Sequence, residues 1–236
     1  MRIYTILLRY AVSVPTLLFL AVGAGGQSLN VDLDIFAGDP SNGNGAPSSS
    51  FGAAAAQPGY WNRTRAGSSP PQSLFDLVGQ PTTVVMTVPV GAGSAGGSNY
   101  PINTGDYALL LNDYADIPDQ MVFRFSGLMP GAYTVWTYAV NASGHLWPVD
   151  VSVDGAVPPN PQRVTGPMPG NSFQYLSTHS VHSVPSLNGD LVIRLSSPWP
   201  RGKVNGFQIV AVVPEPASLT VLSCLLAFAV RRRRRL

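Results

Sequence analysis

The chain is short of charge, cysteine and histidine. Only 11% of its 236 residues are charged, and its one cysteine, Cys224, sits in an apolar stretch near the C-terminus. No intramolecular disulfide can form, so a domain here must rest on its hydrophobic core, which a chain of this size can supply. The three histidines are His145, His179 and His182. His179 and His182 fall in a strand-like run, where a spacing of three turns two side chains to opposite faces, so they do not predict a zinc pair. Nothing assembles a serine–histidine–aspartate triad, and no catalytic residue is assigned.

The basic balance is also superficial. The formal charge of +2 includes Arg2, Arg9 and Arg231 to Arg235. Without those seven residues and Glu215 the formal charge is −4, carried with seven scattered cations. No basic patch remains, which argues against nucleic acid as a partner.

Glycine and proline are abundant, 24 and 22 residues, which favours turns over long helices. Residues 29–36 alternate, with Leu29, Val31, Leu33 and Ile35 on one face. Strand-like runs also occupy 83–90, 121–125, 133–140, 149–153, 173–184, 191–195 and 204–213. Residues 107–114 suit one or two helical turns. This pattern predicts an all-β fold, a jelly-roll-like β-sandwich of eight or nine strands.

Both ends read as addresses. Residues 1–26 combine Arg2 and Arg9, an apolar segment from Ala11 to Val22 and small residues from Gly23 to Gly26, the pattern of a secretory signal peptide. At the other end Val213-Pro214-Glu215-Pro216 precedes an uncharged apolar run of 14 residues, Ala217 to Val230, then five arginines and Leu236. That run is shorter than the ~20 residues of an ordinary spanning helix, and the arginines would stay on the cytoplasmic side. The order and spacing closely resemble the PEP-CTERM sorting signal, with Pro214, Glu215 and Pro216 as the triplet and Arg231, Arg232, Arg233, Arg234 and Arg235 as the basic cluster. The resemblance implies export with signal peptidase and an exosortase as processing partners. It also implies transient residence in the inner membrane through the tail, and a secreted or cell-surface destination. The expected organisation is a signal peptide at 1–26, a sandwich domain at 27–212 and a sorting signal at 213–236.

Two segments within the domain extend the resemblance. Phe51-Gly52-Ala53-Ala54-Ala55-Ala56-Gln57-Pro58-Gly59-Tyr60-Trp61-Asn62 is similar to an Ala-rich stretch near the start of many PEP-CTERM proteins. Gly127-Leu128-Met129-Pro130-Gly131-Ala132-Tyr133 resembles a strand-turn-strand of secreted sandwiches. There Pro130-Gly131 is expected to form the tight turn, with Gly131 free to take a positive φ, and Leu128 and Tyr133 to pack across it. Together these imply a galactose-binding-like sandwich.

Several chemical motifs are weaker. Gly91-Ala92-Gly93-Ser94-Ala95-Gly96 fits G-x-G-x-x-G, and loosely a nucleophile elbow, but each requires a helix to begin there, and Ser98 to Pro101 continues as loop. Asp32, Asp34 and Asp39 could supply calcium ligands. As alternating residues opposite Val31 and Leu33, however, Asp32 and Asp34 are expected on a solvated strand face, and neither metal nor cofactor is assigned. The sequons at Asn62 and Asn141 carry no expectation. The best ligand candidates are aromatic, because sugar CH faces stack on Trp and Tyr. These are Trp61, Trp136, Tyr138, Trp147 and Trp199. Trp136 and Tyr138 share one strand face and are packing residues if that face is core, whereas Trp61 and Trp147 lie near turns and are expected to be exposed. The leading expectation is a non-catalytic surface or extracellular-matrix protein; the alternative is a carbohydrate-binding module for polysaccharide, and the third a hydrolase.

Overall fold

A computed structural model describes residues 27–34, 40–65, 70–91, 94–141, 145–166, 168, 170–199 and 201–212. The expected signal peptide (1–26), the sorting signal (213–236) and Asp39 lie outside the described residues. No helix among the described residues is long and apolar enough to cross a membrane.

Fourteen strands and one α-helix are present among the described residues. The strands are β1 (Leu29–Leu33), β2 (Trp61–Thr64), β3 (Gln72–Phe75), β4 (Pro81–Val90), β5 (Ala95–Gly97), β6 (Asp113–Ile117), β7 (Gln120–Ser126), β8 (Gly131–Tyr138), β9 (Val149–Val153), β10 (Gln162–Val164), β11 (His179–Leu187), β12 (Asp190–Ser196), β13 (Gly202–Val204) and β14 (Gly206–Val212). The helix α1 (Asp106–Leu111) falls where one or two helical turns were expected. The first sheet runs β11-β8-β14-β1-β2, the second β10-β9-β12-β7-β4-β3, and a small third sheet β13-β6-β5. The expected all-β sandwich is therefore present, with more and shorter strands than eight or nine. Residues 173–178 precede β11 as loop, and the short β2, β3, β5 and β10 have no alternating pattern long enough to announce them.

The first two sheets face each other across the main core. Phe207 of β14 projects between Phe123 and Phe125 of β7, with ring centroids 4.8 and 5.6 Å away and both contacts edge-on. Leu29, Val31, Val135 and Ile209 from one sheet and Val151, Leu191, Ile193 and Leu195 from the other complete it, all without solvent exposure. This is the burial that β-branched and aromatic alternation predicts.

The outer face of the first sheet departs from expectation, because it is also covered. β1 and β2 pair in parallel, so the chain must cross over between them, and the crossover lies on that outer face. There Trp61, Leu110, Leu111, Tyr138, Val140 and Met168 form a second buried cluster against Phe51, Tyr107, Trp136 and Phe173. Part of its floor is a polar network. Gln208 Nε2 and Gln57 Nε2 both donate to Asn30 Oδ1 at 2.9 Å, and Tyr138 Oη donates to Gln208 Oε1 at 2.5 Å. The Ala-rich segment closes the network, with the Ala54 amide donating to Tyr138 Oη at 2.9 Å and the Ala55 amide to Gln208 Oε1 at 3.1 Å. Small side chains let this backbone come within hydrogen-bond reach of the sheet, and Ala53 and Ala56 take positive φ to do so. That gives the Ala-rich motif a structural purpose.

The Gly127–Tyr133 connection packs as expected, with Leu128 and Tyr133 buried in the main core and Tyr133 Oη donating to Met129 O at 2.6 Å. The left-handed residue, however, is Gly127 (φ +86), not Gly131, which is already the first residue of β8. A Cβ on Gly127 would come within 2.4 Å of Thr83 O, so the close approach of β4 and the positive φ both require glycine at this point.

Candidate functional site

The predicted stacking residues separate into two environments. Trp61 is 2% exposed, a correction to its expected exposure. As the first residue of β2 it pairs with Asn30 and faces the covered outer side of the sheet, where its indole Nε1 donates to Phe51 O at 3.1 Å. Tyr138 is fully buried and Trp136 half-buried in the same cluster. Burial holds the Tyr138 phenol far above its ordinary range, against the opposing Ala54 and Ala55 amides. Trp61 and Tyr138 are thus closed to a ligand, while Trp136 keeps part of its surface exposed.

Trp147 lies elsewhere, at the loop cluster where β8 leads into β9 and β12 into β13. It is half-buried, and His145 (5.4 Å), Lys203 Nζ (5.4 Å) and Arg201 Cζ (5.9 Å) surround its ring. Lys203 Nζ also sits 3.8 Å from the Tyr114 ring centroid and pairs with Asp116, which accepts from Ser94 Oγ at 2.9 Å. Ser197 Oγ fastens the neighbouring loops, donating to Pro148 O at 2.9 Å and accepting from the Trp199 amide at 3.3 Å. One hydroxyl thus links the backbones beside Trp147 and Trp199, and Trp199 is 57% exposed. The result is an aromatic loop cluster with the exposed Arg201 at its edge and the buried Lys203, paired with Asp116, beneath it, a combination suited to a polyhydroxylated ligand. Of the seven cations expected in the domain, five pair with aspartates; Arg201 lies instead over Trp147. Arg201, Lys203 and Tyr114 could not be singled out from sequence, because each gains significance only through contact with a distant loop.

The second constellation is acidic and buried. Asp32 and Asp34 are completely buried rather than solvated, because the crossover and α1 cover the strand face they occupy. Asp113, at the start of β6, joins them, and oxygens from the three carboxylates lie within 4.8 Å of one another. Asp34 Oδ2 accepts from Arg63 Nε and from the Gly45 amide at 3.1 Å. Arg63 Nη2 also donates to Asn44 Oδ1 at 3.0 Å. By contrast, all four carboxylate oxygens of Asp32 and Asp113 lack a hydrogen-bond partner among the described residues. Burial is the main cause that raises both carboxyls well above the ordinary range; the neighbouring carboxylates add to it, and Arg63 opposes it. Gly43 (φ +91) brings the Pro40–Asn42 turn tightly over this centre, where a Cβ would meet the Asp113 amide at 2.5 Å. The Asn112 side chain holds the same turn by donating to Ser41 O at 2.7 Å.

The remaining motifs carry no site. His179 contacts Tyr138 on the outer face, while His182 pairs in register with Val135, whose side chain is in the main core. The two rings therefore point apart, as the strand spacing predicts. The G-x-G-x-x-G run leads into β5 and not a helix.

No protein-family model matches the chain, and no curated protein does. Among solved structures, a family 35 carbohydrate-binding module from Clostridium thermocellum is 14% identical with a TM-score of 0.30, covering 55% of this chain and 92% of the module. A Podospora anserina mannanase that carries such a module is 14% identical with a TM-score of 0.32, over 57% of this chain and 29% of the enzyme. The Bacillus thuringiensis Cry1Da toxin core is 10% identical with a TM-score of 0.33, over 61% and 30%. Proteins of different activity thus resemble the chain to the same slight degree, and the likeness does not bear on function.

Proposed function

We propose that this chain is an exported, non-catalytic surface protein that holds polysaccharide through the loop cluster around Trp147 and Trp199. One observation carries the reading: Trp147 and the exposed Trp199 stand in separate loops joined through Ser197, with the exposed Arg201 over the Trp147 ring. Stacking on apolar sugar faces supplies affinity in such a surface, and the rim groups orient hydroxyls or carboxylates. The export half rests on the two terminal signals, Pro214-Glu215-Pro216 with its arginines above all, through which an exosortase would sort the protein to the envelope.

A glycan array with purified protein tests the binding. Saturable binding is expected, weakened about tenfold or more by Trp147→Ala and by Trp199→Ala, each of which removes a contact of roughly 1.4 kcal/mol. Tyr60→Ala, an exposed ring on β2's flank, should leave it unchanged. Absence of any saturable ligand defeats the polysaccharide role and leaves a purely structural surface protein. Mass spectrometry of the C-terminus from native cells tests the sorting: a mature chain still ending in Arg235-Leu236 would refute it.

A further inference from the structure

We propose that Asp32, Asp34 and Asp113 form a binding site for one calcium ion beneath the Pro40–Asn42 turn. Two fully buried carboxylates with four unpartnered oxygens are the observation that demands an occupant. A buried ionised carboxylate is tolerated only when paired or bound to a metal, and among the described residues neither Asp32 nor Asp113 is in a salt bridge, Arg63 acting on them only through its field. Arg63 is engaged with Asp34 and Asn44. Three carboxylates and one guanidinium leave a formal charge of −2, which a single divalent cation neutralises.

The donor chemistry selects the ion. All three side chains offer hard oxygen, and neither histidine nor cysteine joins the group, which favours calcium or magnesium over zinc or copper. Oxygens sharing one calcium at 2.3–2.6 Å can lie up to about 5.2 Å apart, whereas the limit for magnesium is about 4.2 Å. The three carboxylate oxygens lie within 4.8 Å of one another, inside the calcium limit. The backbone arrangement is suited to a structural role: the ion would tie β1 to β6, 79 to 81 residues further along the chain, and so fix the crossover on the sheet. The competing occupant is the proton, with Asp32 and Asp113 simply neutral.

The test uses the full chain after exhaustive chelation. Equilibrium dialysis with calcium should give one ion per chain, and a 100-fold excess over Kd should raise the thermal midpoint by roughly 5–10 °C. Asp32→Asn and Asp113→Asn should remove both effects, while Asp190→Asn, on the surface, should remove neither. An absent ion with no change in midpoint establishes protonated carboxyls and overturns the proposal, as do asparagine variants that still bind calcium. If those variants fail to fold, dialysis of the wild-type chain decides alone. Magnesium producing an equal or larger shift at equal concentration overturns the choice of calcium. None of these measurements involves a glycan, so failure here leaves the polysaccharide reading standing, and the reverse.

Discussion

The substitution Tyr138→Phe removes one oxygen atom, and its cost follows from what that atom does. Tyr138 Oη donates to Gln208 Oε1 and accepts from the Ala54 amide, all beneath the crossover segment. Gln208 Oε1 retains the Ala55 amide as a donor, but the Ala54 amide is left without an acceptor. Stranding this half-buried donor against the sheet costs about 1–3 kcal/mol, and the lost bond to Gln208 adds about 1 kcal/mol. The expected destabilisation is therefore ~2–4 kcal/mol, or roughly 4–16 °C in the thermal midpoint. The matched control is Tyr133→Phe, the same chemical change five residues earlier on β8. Its hydroxyl donates to Met129 O, so its loss strands a carbonyl and not an amide donor, and the cost should stay near 0.5–1.5 kcal/mol. Urea unfolding of both variants measures the difference, and hydrogen exchange locates it: the Ala54 and Ala55 amides should lose protection in Tyr138→Phe alone. Equal costs for the two substitutions, or unchanged exchange at Ala54, would refute the claim that this polar floor fastens the crossover.

Two further outcomes follow from packing and titration. Phe207→Ala should cost ~3–5 kcal/mol in urea unfolding, because it empties the space between Phe123 and Phe125 at the centre of the sandwich; a loss under 1 kcal/mol would mean that the sheets close over the gap. Burial lowers His179 and His182 to about 4, while in the unfolded chain both titrate near 6.5. Between those values the unfolded state binds more protons, so stability is complete above about pH 6.5 and falls as pH drops towards 4. Replacing both by glutamine should flatten that slope in urea midpoints measured from pH 7 to 4.5, and an unaltered slope would assign the acid sensitivity to other groups.

The main core was legible in the sequence because alternation is a local property. Leu29, Val31 and Leu33, or Met121, Phe123 and Phe125, declare one apolar face regardless of what lies opposite. The outer face of β1 was misread for the same reason. Asn30, Asp32 and Asp34 show that this face is polar, but polarity in a strand does not tell whether water or another polar layer covers it. The cover consists of the non-periodic Ala-rich segment and α1, whose destination depends on the parallel pairing of β1 with β2. Asp113 carried no local signal at all; only the course of β6 brings it to Asp32. Trp61 and Trp147 both stand beside turns, yet one begins a strand under the crossover and the other borders an open loop cluster, a difference set entirely by tertiary structure.

β1 and β14 lie side by side and antiparallel, with Leu29 opposite Ile209 and Asp32 opposite Gly206. The domain is consequently entered and left at one pole. Trp147, Trp199 and Arg201 belong to the connections at the other pole, where β9 and β13 begin and β12 ends. The seven residues of β14 separate the two by about 20 Å. Whatever surface holds this protein by either extension of its chain, the aromatic rim would be turned outward from it, so that attachment and recognition do not compete for space.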